Sequence, residues 1–132
     1  AYEEAGCETY FHRKDHLWTL YDYEEGNFAI PEDAEPEMIY GGCNCGNGHL
    51  TILPTGEVYA CRRVQNSRVG NAFTDRLADL WVNEMEAYRD YDKFVKCSKC
   101  ELKAWCRGCP AVASAHSGGD FYAADPQCWK EI

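Results

Sequence analysis

The sequence is poor in the aliphatic and phenylalanine side chains that form most protein cores. Leu, Ile, Val and Phe together account for 22 of the 132 residues, and the formal net charge is -9. A chain with so little aliphatic surface and so much charge of one sign tends to stay disordered unless something else stabilises it. We therefore expect disulfides or bound metal to order this small protein.

Three further features are missing: an apolar run of 18 residues, a basic and apolar leader at the N-terminus, and an excess of basic residues. These absences predict a chain with no membrane-spanning helix, a cytoplasmic location and no nucleic-acid partner. The first residue is Ala1 rather than Met. We expect the chain to be a piece of a longer protein.

Acidic residues are concentrated in the first third of the chain. Residues 1–40 contain eleven acidic and two basic residues, whereas residues 41–132 contain eleven of each. Eight of the nine cysteines also follow residue 40. This shift predicts an acidic connecting segment over 1–40, with a strand or a short helix within 9–23 and an extended stretch over 26–38, and a cysteine-rich domain over 41–132.

The cysteine-rich region has the pattern of a small, irregular α+β domain. Pro54-Thr55-Gly56 between apolar positions predicts a β-hairpin. One amphipathic helix of about four turns is predicted next, with Thr74 or Asp75 as its N-cap and one face packed on the hairpin. The evidence is five residues at helical spacing, which are Leu77, Leu80, Trp81, Met85 and Tyr88. The segment AVASAH predicts a further helical turn, and the rest is expected to be cysteine-rich loop.

Most cysteines occur as close pairs rather than singly. The eight cysteines that follow Cys7 in the chain are Cys43, Cys45, Cys61, Cys97, Cys100, Cys106, Cys109 and Cys128. A soft cation or an iron-sulfur cluster needs several thiolates at one point, and a C-x2-C turn presents two sulfurs on the same side. Eight such cysteines predict two sites with four ligands each. A disulfide scaffold is disfavoured because the cysteine count is odd and no export signal is present.

Spacing alone does not distinguish zinc from iron-sulfur clusters. Paired C-x2-C motifs suit a zinc ribbon, and C-x2-C-x5-C-x2-C followed by Pro110 partly matches the bacterial ferredoxin run. A structural module with two zinc ions, a redox module with two clusters and an independent electron carrier are all compatible with this spacing.

The order of cysteines and predicted elements resembles the SPASM domain, the C-terminal auxiliary-cluster module of radical S-adenosylmethionine enzymes that mature peptides and proteins. A cysteine precedes the hairpin, Gly56 stands five positions before Cys61, Gly70-Asn71 leads into the helix, and a cysteine cluster follows. One position departs from the family pattern, because Arg107-Gly108 provides two residues between the last clustered cysteines where the family has three.

The resemblance implies two auxiliary [4Fe-4S] clusters whose ligands interleave along the chain. One cluster would take Cys97, Cys100, Cys106 and Cys128, and the other would take Cys43, Cys45, Cys61 and Cys109. A compact alternative gives one cluster Cys97, Cys100, Cys106 and Cys109 and leaves Cys43, Cys45, Cys61 and Cys128 for the second. Protein prepared in air could carry zinc in place of iron.

The resemblance also implies a role inside a larger enzyme. The implied partners are an upstream radical S-adenosylmethionine barrel in the same full-length chain and a ribosomal peptide or protein substrate. The clusters would transfer electrons or, through an open iron where Cys43 or Cys45 does not bind, hold the substrate. The triplet C-x3-C-x2-C of the parent enzymes is absent from this sequence, so S-adenosylmethionine would bind only in the parent and this module alone is not expected to catalyse.

Several charged and titratable residues lie close to the cysteines. The basic ones are Arg62, Arg63, Arg68, Lys96, Lys99, Lys103 and Arg107. They either offset the negative charge of a cluster and raise its reduction potential, or form an ordinary solvated surface. His12 and His16 have i, i+4 spacing, but we expect each to be an ordinary histidine rather than a metal ligand.

Overall fold

The computed structural model of the chain describes residues 4–9, 13, 15–35 and 37–132. In chain order its elements are helix α1 (Leu17–Glu24), strands β1 (Thr51–Ile52), β2 (Glu57–Tyr59) and β3 (Arg68–Asn71), and helices α2 (Leu77–Val82) and α3 (Pro110–Ser117). Three 3-10 helices, over Glu84–Arg89, Tyr91–Lys93 and Cys97–Lys99, join α2 to the cysteine-rich loops. The predicted α+β class is confirmed.

Helix α1 occupies the second half of residues 9–23, where the sequence was compatible with either a strand or a short helix. The Asp15 carboxylate accepts the backbone N–H of Leu17 at 2.8 Å and supports the first turn. Residues 10–12 and 14 lie outside the described residues, so the structure does not describe His12 or its relation to His16. The described part of 26–38 forms neither helix nor strand, as predicted. None of the described helices is long and apolar enough to cross a membrane.

The three strands form one antiparallel sheet in the order β1-β2-β3. Ile52 pairs with Val58, which confirms the predicted hairpin. Gly56 in its turn has a φ of +85°, a left-handed conformation that strains any residue with a Cβ atom. Strand β3 was not predicted, because Arg68–Asn71 contains a glycine and polar ends instead of an alternating apolar pattern.

The amphipathic helix is shorter than predicted and begins later. Helix α2 starts after Arg76, whose side chain makes no capping bond, and it gives way at Asn83 to the 3-10 helix Glu84–Arg89. The Arg89 guanidinium donates to the Trp81 carbonyl at 2.6 Å, so this carbonyl is satisfied without a further α-helical turn. Leu80 and Met85 are buried as predicted, whereas Leu77 is 41% exposed.

Two clusters of buried side chains organise the fold. The larger one joins the hairpin to α2, α3 and the C-terminal loop, and its members are Cys45, Val58, Ala60, Val64, Leu80, Met85, Phe94, Ala111 and Phe121. The smaller one consists of Leu17, Leu20, Leu102 and Cys106. Helix α1, which lies in the acidic first third, therefore packs on the cysteine-rich region. The division of the chain at residue 40 stays a prediction.

Candidate functional site

All nine cysteines, each of them among the described residues, are free thiols. Cys45 and Cys106 are buried, and the other seven are half-buried. Each of the two buried cysteines lies in a different hydrophobic cluster, Cys45 in the larger and Cys106 in the smaller. The fold therefore holds thiols in two separate places.

The first place lies at the open end of the hairpin. Cys43 and Cys45 precede β1, Cys61 follows β2, and Cys109 is the N-cap residue of α3. Burial raises the pKa of the Cys43 thiol, and the nearby charges of Cys109 and Cys61 raise it further. The pKa of Cys45 is also raised, first by its hydrogen bond with Cys61, then by burial and by the charges of Cys43, Cys61 and Cys109. We call these four residues the first thiol group.

Cys61 is the acidic member of the first thiol group. Its pKa is lowered to about 6, first by the hydrogen bond from the Cys45 thiol and then by the backbone N–H groups of Arg63 and Val64. Ser67, which is 1% exposed, holds this turn closed. Its hydroxyl accepts the Cys61 N–H at 3.2 Å and donates to the Val64 carbonyl at 2.6 Å.

The second place lies under helix α1. Cys97 begins the short 3-10 helix Cys97–Lys99, and Cys100 is its C-cap residue. Cys106 packs with Leu17, Leu20 and Leu102, and Cys128 lies close to the C-terminus. Burial raises the pKa of Cys97 to about 12, and the charges of Cys106, Cys128 and Cys100 contribute to the rise. Burial also raises the pKa of Cys106, again with contributions from Cys128 and Cys100. We call these four residues the second thiol group.

A buried carboxylate joins the loops of the two groups. Asp125 is 5% exposed, and its side chain accepts the Cys109 N–H at 2.7 Å and the Gln127 N–H at 2.9 Å. Its backbone carbonyl accepts the Cys128 N–H at 3.0 Å. Gly108 has a φ of +59°, and a Cβ atom there would stand 2.6 Å from the Asp125 carboxylate. Sequence reasoning missed Asp125, because a single aspartate between Ala124 and Pro126 belongs to no recognised motif.

Of the seven basic residues near the cysteines, Arg107 alone is buried, at 3% exposure. Arg62, Arg63, Arg68 and Lys99 are exposed, which agrees with a solvated surface at those positions. Lys103 is half-buried and pairs with exposed Asp92 at 2.9 Å. The prediction that basic residues offset charge at the cysteines is therefore restricted to Arg107, and to Lys96, which donates to the Cys128 carbonyl at 2.9 Å.

The donors of both thiol groups suit a soft metal or an iron-sulfur cluster, since each group offers four sulfurs. Among the described residues, no three His, Cys, Asp or Glu side chains meet the spacing of a site for a single metal ion. One buried polar atom in the described part of the chain, the Tyr91 hydroxyl oxygen, has no hydrogen-bond partner. This hydroxyl interacts electrostatically with Cys43 and Cys45, so a hydrogen-bond donor without a partner lies beside the first thiol group.

Comparison with known proteins gives matches that cover between 70% and 95% of the chain. The AdoMet-dependent heme synthase of Nitratidesulfovibrio vulgaris is 30% identical over 128 residues, which are 95% of this chain and 34% of the relative. The enzymes of the same name from Oleidesulfovibrio alaskensis and Methanosarcina barkeri are 28% identical over 131 residues and 30% identical over 95 residues. They match 95% and 70% of this chain, and 32% and 27% of their own lengths. The chain thus spans about a third of the length of these curated relatives. No solved structure matches the chain significantly.

The SPASM family, described as an iron-sulfur cluster-binding domain, matches residues 43–110. This segment contains seven of the eight cysteines in the two thiol groups and ends before Cys128. The relatives are AdoMet-dependent enzymes, which agrees with the predicted radical S-adenosylmethionine parent, whereas maturation of a peptide stays a prediction. Because the match covers more than half of the residues, the chain belongs to the SPASM family of iron-sulfur cluster-binding domains.

Proposed function

We propose that the chain binds two auxiliary [4Fe-4S] clusters and serves a radical S-adenosylmethionine enzyme as its electron-transfer module. The first thiol group would hold one cluster and the second would hold the other. The observation that carries the proposal is the match to an iron-sulfur cluster-binding family over residues 43–110. Electrostatic interactions support the division of the ligands: the thiols that act on Cys43 and Cys45 belong to the first group, and those that act on Cys97 and Cys106 belong to the second.

Cys109 and Cys128 distinguish the interleaved arrangement from the compact one. The charge of Cys109 raises the pKa of Cys43 and Cys45, and the charge of Cys128 raises the pKa of Cys97 and Cys106. The compact arrangement would exchange Cys109 and Cys128 between the two sites. These electrostatic interactions support the interleaved arrangement, in which Cys109 joins residues more than 45 positions earlier in the chain.

The protein supplies the ligands, their orientation and a dry environment. A bound cluster would accept and return one electron at a time. The burial of Cys45 and Cys106 keeps water from part of each site. Four of these eight thiols have raised pKa values, so cluster binding must displace their protons and becomes stronger as pH rises. The backbone N–H groups of Arg63 and Val64 point at the Cys61 sulfur and hold one ligand ready as a thiolate.

We further infer that the parent enzyme has an upstream radical S-adenosylmethionine barrel and works in the cytoplasm, where cysteines stay reduced. The three relatives carry the name heme synthase, and this favours a role in heme synthesis for the parent enzyme. A ribosomal peptide or protein substrate is the second candidate and depends on the family resemblance alone. The name of the relatives supports the first candidate over the second.

Metal analysis of the anaerobically reconstituted chain tests the proposal against the two-zinc module. Two four-iron clusters require about eight irons and eight sulfides per chain, with a broad brown absorbance. A colourless chain that binds two zinc ions and takes up no iron would overturn it. Cys7, which lies outside both groups, offers a matched control, because Cys7→Ala is expected to leave the iron content unchanged.

Double variants test which cysteines share a cluster. In the interleaved arrangement Cys43→Ala with Cys109→Ala damages one cluster only, so about four irons remain in an intact cluster. Cys97→Ala with Cys109→Ala then damages both clusters. The compact arrangement predicts the reverse pattern, and observing it would refute our ligand assignment without affecting the two-cluster proposal.

A further inference from the structure

Arg107 occupies an unusual position between the two thiol groups. Its guanidinium donates to the backbone carbonyls of Lys103 at 2.8 Å, Gly41 at 2.8 Å and Cys43 at 3.1 Å. The guanidinium carbon also lies 4.7 Å from the centroid of the Tyr91 ring, over its face. Contacts on several sides therefore hold the charge in one place.

No carboxylate among the described residues forms a salt bridge with Arg107. A buried cation without an ionic partner is costly, and carbonyl dipoles and an aromatic face offset only part of that cost. Arg107 directly follows Cys106 in the chain, and its guanidinium contacts the backbone of Cys43. Cys43 belongs to the first thiol group, and Cys106 belongs to the second. As thiolate ligands of bound clusters, both groups would bring negative charge close to this cation.

We propose that Arg107 is a shared electrostatic residue that raises the reduction potentials of both clusters. This inference rests on the proposed function, because it requires clusters at both thiol groups. Each reduction adds one electron, and hence one negative charge, to a cluster held by four thiolates. A fixed positive charge nearby stabilises the reduced form more than the oxidised form, and it does so strongly in a buried, weakly polarisable site.

A redox titration monitored by electron paramagnetic resonance measures this effect, with dithionite as the electron donor and the anaerobically reconstituted chain as the sample. Arg107→Gln is expected to lower both reduction potentials. We expect at least a tenfold change in the reduced-to-oxidised ratio of each cluster at a fixed potential, which corresponds to about 59 mV for a one-electron couple. Arg107→Lys keeps the charge and is expected to lie closer to the unmodified chain than to Arg107→Gln.

Arg89 provides a matched control. Its guanidinium also donates to backbone carbonyls, those of Gly46 at 2.7 Å and Trp81 at 2.6 Å, and lies 4.9 Å from the Trp81 ring centroid. Arg89 differs in that its charge is paired with Glu86 at 3.1 Å. Arg89→Gln is therefore expected to leave both reduction potentials within the error of the unmodified chain.

The outcomes separate the inference from the proposed function. A chain that takes up no iron refutes the proposed function itself. A fully loaded Arg107→Gln protein with either potential unchanged, or an Arg107→Lys protein shifted as far as Arg107→Gln, overturns the role of the charge. If Arg107→Gln fails to bind iron, Arg107→Lys decides: full iron content with nearly unchanged potentials supports the inference, and loss of iron reveals a purely structural residue.

Discussion

Replacing Asp125 is expected to loosen both cysteine loops together. The carboxylate accepts two backbone N–H groups, those of Cys109 and Gln127, and is 5% exposed. In Asp125→Asn, one oxygen is replaced by an amide nitrogen that donates instead of accepting. One of the two N–H groups then loses its acceptor and faces another donor.

The magnitude follows from the bonds that are lost. A hydrogen bond to a charged acceptor contributes about 1.5–3 kcal/mol, and a buried donor left without a partner costs about 1–3 kcal/mol. Both figures include part of the same lost hydrogen bond, so they do not simply add. We therefore expect Asp125→Asn to lower the free energy of unfolding by about 2–4 kcal/mol. Asp125→Ala removes both bonds and is expected to destabilise the chain at least as much.

Urea unfolding of the reconstituted chain, followed by circular dichroism and by release of iron, measures this loss. Asp120 is a matched control, because its carboxylate accepts the Tyr122 N–H at 2.9 Å in a similar local turn but is exposed. Asp120→Asn is expected to change stability by less than about 1 kcal/mol. If Asp125→Asn is as stable as Asp120→Asn and releases iron no faster, Asp125 does not join the two loops as we infer.

Three further expectations test other parts of the fold. Leu20→Ala removes a side chain that is 1% exposed and should lower the free energy of unfolding in urea by about 2–5 kcal/mol. Leu77→Ala, at a position 41% exposed, should lower it by less than about 1 kcal/mol. Equal losses would show that α1 does not pack as described. In the metal-free chain, the rate at which iodoacetamide modifies Cys61 should be half-maximal near pH 6, because the thiolate is stabilised. Cys97, with a pKa of about 12, should stay protonated and react slowly at pH 8. Peptide mass mapping that finds Cys97 modified first would contradict the assignment. Gly56→Ala should cost about 1–2 kcal/mol of thermal stability, since its φ is +85°, and an unchanged melting temperature would argue against this turn.

Local pattern was sufficient where a short stretch of residues decides its own structure. The hairpin around Gly56 was predicted because proline and glycine specify a turn wherever they occur between apolar residues. The helix was located correctly at Leu80, but its length was not, and Met85 lies in the following 3-10 helix, because the side chain of Arg89 satisfies the Trp81 carbonyl from outside the helix. Strand β3 carries no periodic pattern and depends on its pairing with β2.

The sequence alone determined that cysteine chemistry, and not an aliphatic core, is the basis of this protein, because eight cysteines, six of them in three close pairs, stand in a chain with few aliphatic residues. The order of these cysteines was also enough to identify the family. The tertiary structure decided what surrounds them. It packed Leu17 and Leu20 of the acidic segment against Cys106, and it buried Asp125 and Arg107 between the two cysteine loops. These arrangements depend on contacts between distant parts of the chain, so no local pattern in the sequence predicts them.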